Sequence, residues 1–175
     1  SIISDYEHFR GLATTKEKHN LIDVFIDKWE WLWLSDNENL PWSIEFIEKY
    51  EDRWNWKTLS KNESLPWSIN LIEKFTDKWD WEILSWNKNL PWSIELIEKY
   101  EDKWMWEWYG LSYNKNLPWS IDLIEKFKNK WDWDWLSYNK YLPWSIDLIE
   151  KYSKKWNWNN LSLNNSITWT IEFIE

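Results

Sequence analysis

Cysteine is missing from this 175-residue chain, and glycine, histidine and methionine are scarce, with 2, 2 and 1 copies respectively. Without cysteine there is no disulfide framework, no thiolate zinc site and no cysteine nucleophile. Two isolated glycines, Gly11 and Gly110, give neither a G-x-G-x-x-G fingerprint nor a phosphate-binding loop. His8 and His19 stand apart with no third imidazole, so we interpret them as solvated side chains. The sequence therefore predicts no metal site and no cofactor.

Long apolar runs are also missing. No stretch approaches the roughly 20 residues that a membrane span needs, and the first residues lack the basic start and apolar segment of a signal peptide. The formal net charge of −9 at pH 7 repels phosphate backbones and anionic lipid headgroups. We expect a soluble protein for which nucleic acid and membrane are unfavourable partners. The lack of cysteine does not decide the compartment, although the cytoplasm is slightly favoured.

Tryptophan, by contrast, is abundant, with 22 copies, and it recurs in a fixed pattern. Leu-Pro-Trp-Ser begins at residues 40, 65, 90, 117 and 142, and a Trp-x-Trp pair follows each time. A period near 25 residues is typical of a solenoid or array. The pattern predicts an N-terminal cap or linker at 1–20, a divergent first repeat at 15–39 and a truncated repeat at 167–175. Between them we expect five full repeats, at 40–64, 65–89, 90–116, 117–141 and 142–166.

Each repeat carries the signals of two helices. In the first full repeat, apolar residues recur at helical spacing after Ser43, which predicts an amphipathic helix with Ser43 as its N-cap. We expect this helix to be the long one and to end near Trp54. Asn55 predicts the N-cap of a second, short helix, and Asn62 is expected to end it in the left-handed conformation. The fold class predicted is all-α, a right-handed solenoid of stacked long-helix/short-helix repeats.

One repeat is longer than the others. The segment WMWEWYGLS contains two residues more than its equivalents, such as WDWEILS. The insertion predicts a local bulge, and Gly110 is the residue expected to allow it.

Carboxylates recur on the face predicted to be exposed. One position forms a ladder of Glu48, Glu73, Glu98, Glu125 and Glu150. A ladder of identical charges is typical of a solvated surface, whereas a glycosidase needs two carboxylates across a cleft. A second position puts an acid four residues before a lysine, as in Glu45–Lys49, which predicts stabilising pairs within one helix. We interpret Asp132 and Asp134 as a cap and a surface residue, and we predict that the chain is not an enzyme.

Tryptophans that are constant among the repeats are predicted to form the structural core. They are Trp42, Trp54, Trp56, Trp67, Trp79, Trp81, Trp92, Trp104, Trp106, Trp119, Trp131, Trp133, Trp144, Trp156 and Trp158. The position after the repeat serine varies instead, and it tolerates charged residues in Asp36 and Lys61. That position predicts an exposed aromatic strip of Trp86, Tyr113 and Tyr138, which Trp108, Tyr109 and Trp135 extend.

The predicted strip has three interpretations. It favours a non-catalytic scaffold for protein–protein interaction, because aromatic anchors are enriched in interfaces. The alternative is a glycan- or nucleotide-binding module in which the rings stack on the ligand. Lys88, Lys115 and Lys140, two residues beyond the strip, are the basic residues that single-stranded nucleic acid would need beside such stacking. A third interpretation is that the rings only cover apolar surface of the next turn.

The pattern LSxNxNLPWSxELIEKYxDKWDW resembles tryptophan-rich repeats found in long tandem arrays in some bacterial and large DNA virus proteins. The resemblance covers residues 15–175, although the first repeat has TKEK where the others have LPWS. It implies a stacked-helix fold and no catalytic activity. The chain stops at TIEFIE, within a predicted helix, with Ile171 and Phe173 uncovered. We therefore expect a fragment of a longer array, or a chain whose open C-terminal repeat stacks on another molecule.

Overall fold

A computed structural model describes residues 21–168, which form short helices joined by tight turns. Within this range ten α-helices and one 3-10 helix are defined, residues 21–24 are also helical, and no strand occurs. None of the helices in the described range is long and apolar enough to cross a membrane. The predicted cap at 1–20 with its two histidines, and residues 169–175 of the truncated repeat, lie outside the described residues.

The helices follow one another with the period of the sequence. In chain order they are α1 (Trp31–Asp36), α2 (Ile44–Lys49), α3 (Trp56–Lys61), α4 (Ile69–Lys74), α5 (Trp81–Leu84), α6 (Ile94–Lys99), the 3-10 helix η1 (Leu111–Tyr113), α7 (Ile121–Lys126), α8 (Trp133–Tyr138), α9 (Ile146–Lys151) and α10 (Trp158–Ser162). Each full repeat therefore contributes one helix after its Leu-Pro-Trp-Ser and one after its Trp-x-Trp pair. In the longest repeat η1 takes the place of the second α-helix.

The predicted N-caps are confirmed. Ser43 Oγ accepts a hydrogen bond from the Phe46 N–H at 3.1 Å, and the equivalent serine caps α4, α6, α7 and α9 in the same way. Asn55 Oδ1 accepts from the Thr58 N–H at 2.9 Å at the start of α3. Side-chain acceptors satisfy N–H groups that have no partner within the helix, which explains why the helices begin at these residues.

The predicted long helix is wrong, because α2 ends at Lys49 and has six residues, as α3 does. The Trp54 indole Nε1–H donates to the Ile47 carbonyl at 2.9 Å. In a continuing α-helix that carbonyl would accept from the Glu51 N–H, which bonds to Glu48 O instead, at 3.2 Å. Residues 50–53 consequently form turns. The same indole bond recurs from Trp79, Trp104, Trp131 and Trp156.

The prediction of a left-handed asparagine after the second helix is also wrong. Asn62 has a φ of −67° and an extended backbone. Its buried side chain donates through Nδ2 to Ser35 O at 2.9 Å and accepts from the Ser64 N–H at 2.9 Å. Asn62 therefore acts through hydrogen bonds to the preceding repeat, and a positive φ is not needed.

The chain divides into a first unit, Ser1–Pro66, and a second unit, Trp67–Glu175. In the first unit α1 packs against α3, and Ile47 and Leu59 are completely buried. In the second unit α8 packs against both η1 and α10. The core of the second unit contains fully buried leucine and isoleucine side chains from each repeat: Leu71, Ile72, Leu84, Leu96, Ile97, Leu111, Leu123, Ile124, Leu136 and Leu148.

Buried serine–asparagine hydrogen bonds join successive repeats in the second unit. Ser85 Oγ accepts from the Met105 N–H at 2.8 Å, and Ser85 O accepts from Asn114 Nδ2 at 3.0 Å. The equivalent bonds reach Ser112 from Asp132 and Asn139, and Ser137 from Asn157 and Asn164. The serines are fully buried, so each bond replaces contacts with water that folding removed. We call this series the serine–asparagine ladder; the first unit has its own copy at Ser35.

The tryptophans predicted as core fall into three groups. Trp54, Trp79, Trp104, Trp106, Trp131 and Trp156 are buried. The Leu-Pro-Trp-Ser tryptophans, together with Trp56, Trp81 and Trp133, are half-buried. Trp158 is 52% exposed, so its prediction as core is wrong. Its equivalent Trp133 lies 4.8 Å from the Tyr152 ring and 4.7 Å from the Trp156 ring of the following repeat, whereas no ring among residues 21–168 covers Trp158 in this way.

Candidate binding surface

The two-residue insertion forms a tight turn in the second unit, as predicted. The Gly110 N–H donates to Glu107 O at 2.9 Å, and the Leu111 N–H donates to Met105 O at 2.8 Å. A Cβ atom on Gly110 would lie 2.1 Å from Met105 O. Gly110 has a φ of −73°, so space is the constraint at this position and backbone conformation is not. The close approach of the two backbones explains the glycine.

Trp108 occupies the first central position of this turn with a φ of +53°. A positive φ at that position is normal for glycine and unfavourable for a bulky side chain, with a cost of about 1–3 kcal/mol. Trp108 is nevertheless 66% exposed, so the ring gains little from burial in the folded chain. Among residues 21–168 it is the one non-glycine residue with a positive φ. A strained conformation that exposes an indole has no evident structural benefit.

Four rings form a cluster beside the turn. Tyr109 lies 5.7 Å from Tyr113 and 5.0 Å from Trp135, and Trp135 lies 5.4 Å from Tyr113 and 6.4 Å from Tyr138, all between ring centroids. Trp135 is half-buried beneath its three neighbours, which are exposed. Two of the contacts are edge-to-face, with planes at 87° and 73°. The cluster therefore joins the 90–116 and 117–141 repeats.

The structure distributes the six predicted residues unevenly. It brings Tyr109, Tyr113, Trp135 and Tyr138 together, while Trp86 and Trp108 have no ring contact with any residue in the described range. The arrangement is a four-ring cluster with two separate exposed indoles, and it differs from the single strip that the sequence predicted. We use the term aromatic surface for Trp86, Trp108, Tyr109, Tyr113, Trp135 and Tyr138.

An open groove of about 600 Å³ adjoins Trp108, and sequence reasoning missed it. Its lining residues are Glu82, Lys103, Trp104, Met105, Trp106, Glu107 and Trp108. The signal in the sequence was the position after each Trp-x-Trp pair, which is acidic in three successive repeats, at Glu82, Glu107 and Asp134. Repeat comparison could have found it in the same way as it found the aromatic position.

The charged face is organised differently from the prediction. Within the second unit, three helix-end lysines reach the preceding repeat: Lys99 pairs with Glu73, Lys126 with Glu98 at 2.7 Å, and Lys151 with Glu125 at 2.8 Å. In the first unit Lys49 bonds to Asp23. These ion pairs join neighbouring repeats, whereas the sequence predicted pairs within one helix. Three members of the glutamate ladder, Glu73, Glu98 and Glu125, thus form ion pairs with the following repeat.

Glu125 is the most strongly perturbed carboxyl of this face. Hydrogen bonds from Lys128, Lys151 and Tyr152 lower its pKa to about 2. Burial of Tyr152, together with its hydrogen bond to Glu125, raises the pKa of the tyrosine well above its usual value. The Glu125 shift thus comes from its partners on the charged face, while the Tyr152 shift comes first from burial. Among residues 21–168, no group of three or more acidic or histidine side chains is placed to hold a metal ion.

The three lysines near the aromatic position, Lys88, Lys115 and Lys140, are exposed. The Lys88 carbonyl accepts from Asn116 Nδ2 at 2.6 Å, which ties this loop to the following repeat.

Comparisons with protein-family models, with curated protein sequences and with solved structures found no match to this chain.

Proposed function

We propose that this chain is a non-catalytic repeat scaffold that binds a protein partner through the aromatic surface, with its helix pairs stacked as a right-handed solenoid. The observation that carries the proposal is Trp108, which combines a positive φ with an exposed indole. Strained conformations that persist are concentrated at functional sites. Exposed tryptophan and tyrosine are also the residues most enriched among the energetic centres of protein interfaces.

The geometry of the cluster favours a protein partner over a glycan or a nucleotide. Stacking on sugars or bases needs free ring faces, whereas Tyr113 directs its ring edge-to-face against both Tyr109 and Trp135. Tyr109, Tyr113 and Tyr138 keep exposed apolar surface around the half-buried Trp135, and a compact cluster of this kind suits a protein surface with a matching cavity. Glycan or nucleotide binding is the competing function that the experiment must separate.

The repeated helix pairs and the serine–asparagine ladder support the stacked architecture. Each ladder bond links one repeat to its neighbour, which is the nearest-neighbour organisation of repeat proteins. We include in the proposal membership of the tryptophan-rich tandem-repeat class that the sequence resembles. Small-angle scattering in solution tests the architecture: an elongated profile agrees with a solenoid, and a spherical profile contradicts it.

The binding test uses Trp108→Gly. Glycine accepts a positive φ without strain. The free energy of unfolding of the variant should therefore be no more than about 1 kcal/mol below that of the parent, or higher. Binding to a partner captured on the parent and then purified should weaken by about 30-fold, the loss typical of an interface centre. The matched control is Trp33→Ser, which removes a ring that is 69% exposed and lies outside the aromatic surface.

The readout is the dissociation constant of each variant for the purified partner, from titration calorimetry. Unchanged affinity in Trp108→Gly would contradict the proposal. Quenching of tryptophan fluorescence by oligosaccharides or nucleotides, lost in Trp108→Gly and retained in Trp33→Ser, would support the competing function.

A further inference from the structure

The groove beside Trp108 contains two carboxylates that the fold does not use. Glu82 and Glu107 line the groove from two successive repeats, and both are exposed. In the part of the chain that the structure describes, neither side chain forms an ion pair or a hydrogen bond. The acids of the lysine-bearing face differ, since Glu73, Glu98 and Glu125 are each paired with a lysine of the next repeat.

The lysine that lines the groove is already engaged elsewhere. Lys103 Nζ lies 3.8 Å from Asp77 Oδ1 and 5.5 Å from the centroid of the Trp81 ring. An ammonium held between a carboxylate and an aromatic face has its favourable contacts satisfied. Glu82 and Glu107 are therefore available to a cation from outside the chain.

Trp108 adds an aromatic ring to the two carboxylates of the groove. Its indole lines the groove and is 66% exposed, and no other ring in residues 21–168 contacts it. Tryptophan is the best aromatic partner for a cation placed over its face, and arginine is the cation found most often in such contacts. Two carboxylates and one free indole around an open groove form a surface that is complementary to a guanidinium or ammonium group on an apolar stem.

We propose that the protein partner inserts a basic side chain, arginine or lysine, into this groove, with its cation between Glu82 and Glu107 and its stem against Trp108. The inference rests on the proposed function, since it names the chemistry of the partner at the same surface. Met105, also in the lining, provides an adaptable apolar contact for the stem. The net charge of −9 favours the approach of a basic partner at a distance.

A random peptide display library is the probe. It is selected in parallel on the parent, on Trp108→Gly, on the double variant Glu82→Gln/Glu107→Gln, and on a control double variant, Glu95→Gln/Glu150→Gln. The control also removes two negative charges, but at positions outside the groove. Circular dichroism establishes first that all four chains are folded. The strongest peptide is then synthesised in two forms, with arginine and with citrulline, which keeps the shape and removes the charge.

We expect the parent and the control variant to enrich peptides with a basic residue next to apolar ones. The groove double variant should bind the arginine peptide about tenfold more weakly than the parent, equivalent to about 1.4 kcal/mol. Citrulline should produce a similar loss on the parent and a much smaller loss on the groove double variant. High salt should weaken the arginine peptide more than the citrulline peptide.

Two other results separate the failures. If the peptides selected on the parent lack a basic residue, or bind the groove double variant as tightly as the parent, the inference of an inserted basic side chain is overturned. If Trp108→Gly nevertheless fails to bind those peptides, the proposed binding function of the aromatic surface stands, and only the inserted basic side chain is rejected. If the parent enriches nothing beyond what Trp108→Gly enriches, both the basic side chain and the proposed function are overturned.

Discussion

Replacing Asn139 with alanine removes one rung of the serine–asparagine ladder from the middle of the second unit. Asn139 is 2% exposed, and its Nδ2 donates to Ser112 O at 3.1 Å, while its Oδ1 accepts from the Tyr141 N–H at 2.9 Å. The Tyr141 side chain is exposed, so we expect water to replace the second bond. Ser112 is completely buried, so its carbonyl would lose its partner where water does not reach.

An unsatisfied buried carbonyl costs about 1–3 kcal/mol, and the small cavity left by the amide adds to it. We expect Asn139→Ala to lower the free energy of unfolding by about 2–3 kcal/mol. The assay is equilibrium urea unfolding followed by circular dichroism, with the slope against urea compared as well, since an altered slope would signal loss of two-state behaviour. The control is Asn129→Ala at an exposed position, which should change stability by less than about 0.5 kcal/mol.

Asn139→Asp makes the test stricter, because aspartate keeps the acceptor for Tyr141 and loses the donor to Ser112 O. Burial beside a carbonyl should raise the folded-state pKa of the new carboxyl above its unfolded value of about 3.9. The neutral acid can donate to Ser112 O, so this variant should regain stability as the pH falls towards about 4. The reasoning would be refuted if Asn139→Ala cost no more than Asn129→Ala, or if the aspartate variant lost stability relative to the alanine variant on acidification.

Three further changes test other parts of the structure. Glu125→Gln should remove part of the acid sensitivity of the parent. The folded pKa of Glu125, about 2, lies below the usual glutamate value of 4.5, so its stabilisation is complete above pH 4.5 and is lost as the pH falls towards 2. Thermal unfolding against pH for both chains measures this, and parallel curves would contradict it. Gly110→Ala should destabilise the chain by about 1–3 kcal/mol in urea unfolding, because its Cβ would overlap Met105 O, and a neutral result would contradict the turn geometry. Trp133→Ala should cost about 2–4 kcal/mol and Trp158→Ala less than about 1 kcal/mol in the same assay, because only the Trp133 ring is covered by a following repeat; equal costs would contradict that difference.

The sequence predicted the helix starts correctly, for reasons that lie within one repeat, and comparison of the repeats predicted the exposure of every residue of the aromatic surface except the half-buried Trp135. Capping by Ser43 and Asn55 depends on residues two or three positions away, so local spacing is sufficient. Trp86 and Tyr113 were recognised as exposed because charged residues stand at the same position in other repeats. Comparison of repeats within one chain thus supplied information about solvent exposure.

The features that the sequence did not predict depend on contacts outside the helix or between repeats. The length of α2 is limited by the Trp54 indole, which takes a backbone carbonyl seven residues earlier, and helical periodicity does not report this bond. Asn62 was interpreted by its local turn preference, while its side chain is used by a serine of the preceding repeat. The groove at Glu82 and Glu107 lies where two repeats meet at the inserted turn.

The inserted turn leaves the serine–asparagine ladder intact on both sides. Asn114 still reaches Ser85, and Ser112 Oγ still accepts from the Asp132 N–H at 2.9 Å, although the intervening segment is two residues longer than elsewhere. Between the second tryptophan of this pair and the repeat serine, the chain therefore accommodates a longer loop without losing the hydrogen bonds between neighbouring repeats. A library of loops at residues 107–109, with Gly110 and the rest of the scaffold constant, would turn this natural variation into a route for engineering new binding specificities.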